Sequence, residues 1–297
     1  MSNAAENALM ERAIELARKG FGSTWPNPPV GAVIEKDGKI LGEGWHQKAG
    51  EAHAEVNAIR DANARQGVNA LVGATIYITL EPCSTHGRTP PCVEAILKAG
   101  FQRVVIGALD PNPAHAGAAV EILEARQIEV VSGVEEVAAR HLIRGFDKHI
   151  RTGLPWVIAK SAITLTGDTT LPAGKGQWIS SEASRRDVQE LRRSVDAILV
   201  GGATVRRDNP SLTLRDGFEE GRPQPNRYVV TASGDIPPEC YLLTDEFNGQ
   251  TSIIQTDDPS RALEEIGSQG ITMLLVESGG RLFTKMIQQE LIDEEWL

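Results

Sequence analysis

The chain has 297 residues, with 30 Lys and Arg against 40 Asp and Glu, a formal charge of -10, and 41% hydrophobic residues. That length suits two domains of ~100–200 residues, and the apolar content is enough for real cores, which excludes wholesale disorder. The acidic balance argues against a nucleic-acid partner, and no apolar run nears the ~18 residues of a membrane helix.

Taken in chain order, residues 6–19 carry Leu9, Met10, Ala13, Ile14 and Ala17 on one stripe and predict a helix that Gly20 ends. Residues 30–34 form an apolar strand. Asp37-Gly38 is a two-residue turn signal, and Ile40-Leu41 starts the return strand of a hairpin. A helix follows over 54–65, a buried strand over 75–80, a helix over 92–98 opened by Pro91, and a strand over 104–108. Residues 121–126, 128–131 and 134–150 read as helix, strand and helix, so the first half predicts a sheet with helices on its faces. Gly153 and Pro155 interrupt the periodicity and divide the chain into domains at 1–150 and 151–297. The second domain has strands at 156–160, 197–200, 228–230, 252–255 and 273–276, and helices at 184–193, 261–268 and 282–288. It stops at Leu297 just after an apparent strand start, so its last part is expected to be absent.

Three cysteines, an odd count, do not make a disulfide framework; with a spaced His they suggest a metal or a catalytic site. His53-Ala54-Glu55 opens a predicted helix, Glu81-Pro82-Cys83 follows a buried strand, and Cys92 opens the next helix. One imidazole and two thiolates give Zn2+ three ligands and leave a fourth position for water, the mark of a catalytic site. Zinc lowers the pKa of such a water to about 7. Glu55, two residues from His53, is placed to take its proton and pass it to a leaving amine. The H-x-E…P-C arrangement resembles the zinc deaminase signature. That signature closes with C-x-x-C, whereas here the loop between the cysteines is longer and carries His86 and Arg88, a cation suited to a phosphate ester. Cys240, among Pro237, Pro238 and Glu239 in an expected loop, reads as an ordinary free thiol.

In the second domain Gly279-Gly280 lies between an apolar strand and a helix, where backbone N–H groups can approach a phosphate. Arg192, Arg206, Arg207 and Arg215 are candidate partners for a sugar phosphate or the NADP 2′-phosphate, and each reads equally as a solvated residue. No G-x-G-x-x-G follows the first strand, so a Rossmann site is not supported.

Trp25-Pro26-Asn27-Pro28-Pro29-Val30-Gly31, His53-Ala54-Glu55, Glu81-Pro82-Cys83 and Gly87-Arg88-Thr89-Pro90-Pro91-Cys92 together resemble the bifunctional riboflavin-biosynthesis deaminase/reductase family. The resemblance continues through Asp110-Pro111-Asn112-Pro113, Gln177-Trp178-Ile179-Ser180, Asp208-Asn209-Pro210 and Val276-Glu277-Ser278-Gly279-Gly280. It implies an N-terminal cytidine-deaminase-like three-layer α/β/α domain and a C-terminal dihydrofolate-reductase-like α/β domain. The first would use zinc-activated water to deaminate 2,5-diamino-6-(5-phosphoribosylamino)pyrimidin-4-one. The second would reduce the ribosyl to the ribityl chain with NADPH. By the family's pattern Asn27, His46, Ala54 and Arg88 would hold the deaminase substrate. NADP would lie near Ala162, Trp178, Thr204, Asp208 and the turn of Gly279, Gly280, Arg281, Leu282, Phe283, Thr284 and Lys285. Arg192, Leu212, Arg215 and Glu277 would meet the sugar-phosphate substrate. The resemblance also implies a cytoplasmic homodimer with a small phosphorylated pyrimidine as substrate and neither nucleic acid nor membrane as partner.

The chain departs from the family at Leu165-Thr166-Gly167-Asp168, where an acidic residue replaces a basic one, and at Pro29, Thr85 and Gly176. These changes gather on the reductase and on phosphate recognition. They support an alternative, a zinc deaminase whose altered or inactive reductase domain serves nucleotide binding or dimerisation. A nucleic-acid base deaminase would need a basic groove and stacking aromatics, against which the charge of -10 and 5% aromatic residues count. A purely structural zinc protein would not need Glu55.

Overall fold

The structure is a computed structural model, and it describes residues 4–85, 90–164 and 179–297. The chain divides into two compact units, Met1–Arg151 and Thr152–Leu297.

The first unit runs α1 (Ala4–Arg18), β1 (Gly31–Lys36), β2 (Lys39–Trp45), α2 (Ala54–Gln66), β3 (Thr75–Leu80), α3 (Cys92–Ala99), β4 (Arg103–Ala108), α4 (Ala118–Glu124), β5 (Glu129–Ser132), α5 (Glu136–Leu142) and α6 (Arg144–Thr152). Its sheet has the order β2-β1-β3-β4-β5. The hairpin and the β1–β3 pair are antiparallel, and β3–β4 and β4–β5 are parallel. Side-chain alternation makes the layers. Ile34, Ile76, Ile78, Val104 and Ile106 face a core shared with α2, α3 and α4. Val33, Tyr77 and Val105 face the opposite core, shared with α1, α5 and α6. Both faces of the sheet are therefore buried, which gives three α/β/α layers. On β2, Gly44 allows the first turn of α2 to lie against the strand: a Cβ there would come within 2.6 Å of the Ala54 carbonyl oxygen. This close approach fixes the start of α2, and with it His53 and Glu55.

The second unit runs β6 (Trp156–Lys160), α7 (Glu182–Arg193), β7 (Ala197–Gly201), α8 (Gly202–Asp208), β8 (Asn226–Thr231), α9 (Tyr241–Thr244), β9 (Thr251–Gln255), α10 (Pro259–Ser268), β10 (Met273–Val276), α11 (Gly280–Gln288) and β11 (Glu294–Trp296). Its sheet is wholly parallel, in the order β11-β6-β10-β7-β8-β9. Near-continuous apolar strands such as Ala197–Gly201, buried throughout, are what a parallel sheet covered on both faces requires.

Several expected elements differ. The helix expected over 134–150 is two helices, broken at Ile143. Leu142, Ile143 and Phe146 all pack on one core, so the apolar period runs across the break and conceals it. The helix expected from 121 begins at Ala118. Two helices, α8 and α9, were not expected; each is too short to show a period. Cys240 is a free thiol in the expected loop, the residue just before α9, and its side chain is buried in the second unit's core.

Candidate active sites

In the first unit three elements deliver the metal-binding atoms. His53 caps α2, Cys92 is the first residue of α3, and Cys83 follows the buried end of β3. Their ligand atoms all lie within 4.8 Å of one another. His53 Nδ1 is 3.6 Å from Cys83 Sγ and 3.3 Å from Cys92 Sγ. Zinc bonds of about 2.3 Å to sulfur and about 2.0–2.1 Å to nitrogen give a tetrahedral N–S edge of about 3.5 Å. The cluster therefore has the dimensions zinc needs.

The electrostatics point the same way. The hydrogen bond from the Cys92 thiol, aided by His53 and the Cys92 N–H, pushes Cys83 down to about 4. The hydrogen bond to Cys83 and burial push Cys92 far up. A divalent cation would let both thiols ionise as ligands. The N-termini of α2 and α3 add favourable dipoles for anionic ligands.

Glu55 lies on the first turn of α2, buried, with its pKa raised chiefly by desolvation. Its Oε2 has no hydrogen-bond partner among the described residues. A buried carboxylate oxygen without a partner costs several kcal/mol by analogy with other buried polar groups. A water held at an open metal position is the partner that such an atom lacks.

Beside this cluster, His46 Nδ1 is 3.1 Å from the Ala52 carbonyl oxygen, which can only accept, so Nδ1 carries the proton. Nε2 then accepts from Asn27 Nδ2 at 3.2 Å, and burial pushes the His46 pKa down, keeping the ring neutral. Asn27 is thus aimed by His46, and its side-chain oxygen is the acceptor it can offer a substrate. Ala54 heads α2 with its side chain fully buried. Arg88, His86 and Thr89 lie outside the described residues. The sequence reading did not assign Glu81. Its carboxylate accepts from the Asp110, Gly117 and Ala119 N–H groups at 3.1, 2.9 and 3.0 Å. It pins the loop after β4 to the strand end that carries Cys83. The signal was present, an acid at the buried end of an apolar strand, but its three partners are distant in sequence.

In the second unit two cavities open at the carboxyl ends of the parallel strands, where ligands bind in sheets of this kind. One, of about 250 Å³, brings together Arg192, Arg215 and Glu277 with Ala162, Thr204, Asp208 and Gly279. Arg192 and Glu277 are nearly buried and form a two-pronged pair, Nε to Oε1 at 2.6 Å and Nη2 to Oε2 at 3.0 Å. Burial would raise the Glu277 pKa, but the Arg192 charge and hydrogen bonds outweigh it and hold the carboxyl below its usual range. Arg192 Nη1 also donates to the Thr213 carbonyl oxygen at 3.0 Å. Leu212 does not line either cavity: its side chain is a core residue, held at φ 51°. Trp178, Thr166, Asp168 and Gly176 lie outside the described residues.

The second cavity, of about 830 Å³, is floored by Gly201, Gly202 and Gly279 and edged by Gly280, Arg281 and Lys285. Thr204 Oγ1 accepts from the Gly279 N–H at 3.2 Å and holds the turn against α8. Gly280 faces open space, with nothing within 4 Å of where a Cβ would stand. The N-terminus of α11 is therefore bare, with Arg206, Arg207, Arg281 and Lys285 around it, as a phosphorylated dinucleotide needs. Leu282 lines this cavity, while Phe283 and Thr284 line neither. Lys285 is engaged by Asp257, at 2.6 Å from its carbonyl oxygen.

Comparison with known proteins joins the two sites. Residues 3–108 match the cytidine and deoxycytidylate deaminase zinc-binding region, and residues 155–297 match the RibD C-terminal domain. The chain is 39% identical to the riboflavin biosynthesis protein RibD of Escherichia coli, over 96% of this chain and 84% of that protein. It is 46% identical to that of Bacillus amyloliquefaciens, over 92% and 72%. Among solved structures, Acinetobacter baumannii RibD superposes with a TM-score of 0.89 at 38% identity, covering 98% of this chain and 85% of that one. The diaminohydroxyphosphoribosylaminopyrimidine deaminase/5-amino-6-(5-phosphoribosylamino)uracil reductase of Thermotoga maritima gives 0.87 at 35% identity, covering 96% and 84%.

Proposed function

The chain belongs to the RibD family of riboflavin biosynthesis proteins, and from that premise we propose how its own residues divide the work. It is a bifunctional enzyme, a zinc-dependent deaminase in the first half and a reductase in the second. The substrate of the first reaction is 2,5-diamino-6-(5-phosphoribosylamino)pyrimidin-4-one. His53, Cys83 and Cys92 hold zinc, which when bound supplies a Lewis acid that lowers the pKa of a water. Glu55 Oε2 is placed to take a proton from the attacking water and to pass it to the amine, so that a C–O bond at C2 of the ring replaces the C–N bond and ammonia leaves. Asn27, fixed by neutral His46, accepts from the pyrimidine; Ala54 and Arg88 complete its hold on the base and phosphate. Glu81 keeps the loop of residues 109–119 in place around the site.

The product, 5-amino-6-(5-phosphoribosylamino)uracil, is then reduced in the second unit. NADPH, when bound, supplies hydride to C1′ of the opened ribose. Gly279, Gly280 and the bare α11 N-terminus take its phosphates, with Arg281, Leu282 and Lys285 at the edge and Phe283 and Thr284 completing the turn. Ala162, Thr204 and Asp208 line the neighbouring cavity, where Arg192, Arg215 and Glu277 meet the sugar phosphate and Leu212 supports their loop; Trp178 serves the dinucleotide. The match of residues 155–297 to the RibD C-terminal domain speaks against a domain that is merely structural. Among the described residues no helix is long and apolar enough to cross a membrane. The enzyme is a homodimer and works in the cytoplasm.

The observation that carries the deaminase assignment is the unpartnered, buried Glu55 oxygen beside a three-ligand cluster. The test is zinc content and deamination measured together on wild type and on Cys83→Ser. One zinc per chain with deamination, and loss of both in the variant, is expected; deamination by a zinc-free chain would refute the reading.

A further inference from the structure

The loop of residues 209–216 carries Arg215 into the smaller cavity, and its backbone is costly. Asn209, Leu212 and Asp216 all have positive φ, at 41°, 51° and 63°. A non-glycine residue in that region costs of order 1–3 kcal/mol and persists only where its surroundings over-determine it. The surroundings here are side chains reaching the loop from inside. Gln224 grips Leu214 at both ends, accepting from its N–H at 2.7 Å and donating to its carbonyl oxygen at 3.1 Å. Gln189 accepts from the Arg215 N–H at 3.2 Å, and Arg192 donates to the Thr213 carbonyl oxygen at 3.0 Å. Asn209 Oδ1 accepts from the Tyr241 N–H at 2.8 Å, tying the start of the loop to α9.

The deepest of these grips comes from Arg227 on β8, which is 1% exposed and lines neither cavity. Its Nη1 donates to the Ser211 carbonyl oxygen at 2.9 Å and to Asp245 Oδ2 at 2.6 Å. Its Nη2 donates to Asp245 Oδ1 at 2.8 Å and faces the Leu242 carbonyl oxygen at 3.4 Å. Asp245, held below its usual pKa by these hydrogen bonds, also accepts from the Phe247 N–H at 3.1 Å. The pair is buried on the Arg227 side and partly exposed at Asp245, and such a pair is weak evidence of stability, because desolvation offsets its attraction. What it does supply is geometry: a planar fork whose position is fixed by Asp245 and whose free edge sets Ser211, one residue from Leu212 and four from Arg215.

Resting on the reductase reading above, we infer that Arg227, clamped by Asp245, is a positioning residue for substrate: it holds the 209–216 loop so that Arg215 faces the sugar phosphate. It touches neither substrate nor dinucleotide. The test is steady-state reduction of 5-amino-6-(5-phosphoribosylamino)uracil by the full chain, varying each reactant in turn. Arg227→Lys keeps the charge beside Asp245 but loses the fork that spans to Ser211. Its KM for the uracil substrate should rise about tenfold, with KM for NADPH within twofold of wild type. Because a lysine there could lower stability, the apolar pair Arg227→Met with Asp245→Leu is measured beside it; it should melt as wild type does and show the same rise in substrate KM. Arg215→Ala is the control for the cavity. If it raises substrate KM while the Arg227 variants lower only the active fraction, with both KM values unchanged, the positioning role is overturned and the reductase reading stands. If Arg215→Ala itself leaves substrate KM unchanged, the site reading fails and the inference falls with it.

Discussion

Asp196 offers a quantitative check on the second unit, because it stands at the end of the sheet opposite both cavities. It sits at the entry to β7, fully buried, and its Oδ2 accepts from the Thr272 N–H at 2.9 Å, the Thr272 hydroxyl at 2.7 Å and the Met273 N–H at 2.8 Å. These bonds stitch β7 to β10 at their starts. Burial nevertheless pushes its pKa up from 3.8 to about 6, the three hydrogen bonds offsetting only part of the desolvation. A carboxyl raised in the fold binds a proton there more tightly than in the unfolded chain. Stability is therefore greatest below the unfolded value and falls as pH rises through the window from about 4 to about 6. The difference of roughly two pKa units corresponds to about 3 kcal/mol. Asp196→Asn removes the charge and keeps an acceptor oxygen for the same three donors. Near pH 4 the variant and wild type should melt together. Above pH 6 the variant's second unit should melt higher by about 6–12 °C, taking about 2–4 °C per kcal/mol for a domain of this size. The assay is calorimetry from pH 4 to 8, read as the difference between the two curves, with reductase KM values unchanged. A difference that stays constant across that range would refute the argument.

Other expectations follow from the sites themselves. Glu55→Gln should retain one zinc per chain, lose deaminase kcat by about 10²–10⁴-fold, and leave NADPH-dependent reduction intact. Chelation should abolish deamination and lower the melting of the first unit alone, since ligand clusters couple metal to folding; reduction should survive. Glu277→Ala should leave Arg192 charged and nearly buried beside the Thr213 carbonyl oxygen, destabilising the second unit by about 3–5 kcal/mol and silencing the reductase while deamination continues.

Much of the first site was legible because its chemistry is local. His53 and Glu55 are two residues apart, and each ligand stands at a strand end or helix start that apolar periodicity marks. Glu81 was not legible, since what it does depends on amides 29 to 38 residues away. The second site was harder for the same reason. Its strands read correctly as apolar runs, but their parallel order is set by packing that no single strand records. The strand expected over 228–230 begins two residues earlier, and so takes in Arg227. Leu212 illustrates the limit most clearly: nothing in Ser211-Leu212-Thr213 tells that a leucine turns inward at positive φ, because that conformation is imposed by Arg227, Arg192 and Gln224.

Two chemistries on one chain are tested most directly by the identity of the products, read by mass. The zinc-loaded protein is incubated with the diaminopyrimidinone ribosyl phosphate, with and without NADPH. The deaminated ribosyl product is expected without NADPH and the deaminated ribityl product with it. Recovery of unchanged substrate from both incubations would contradict that expectation.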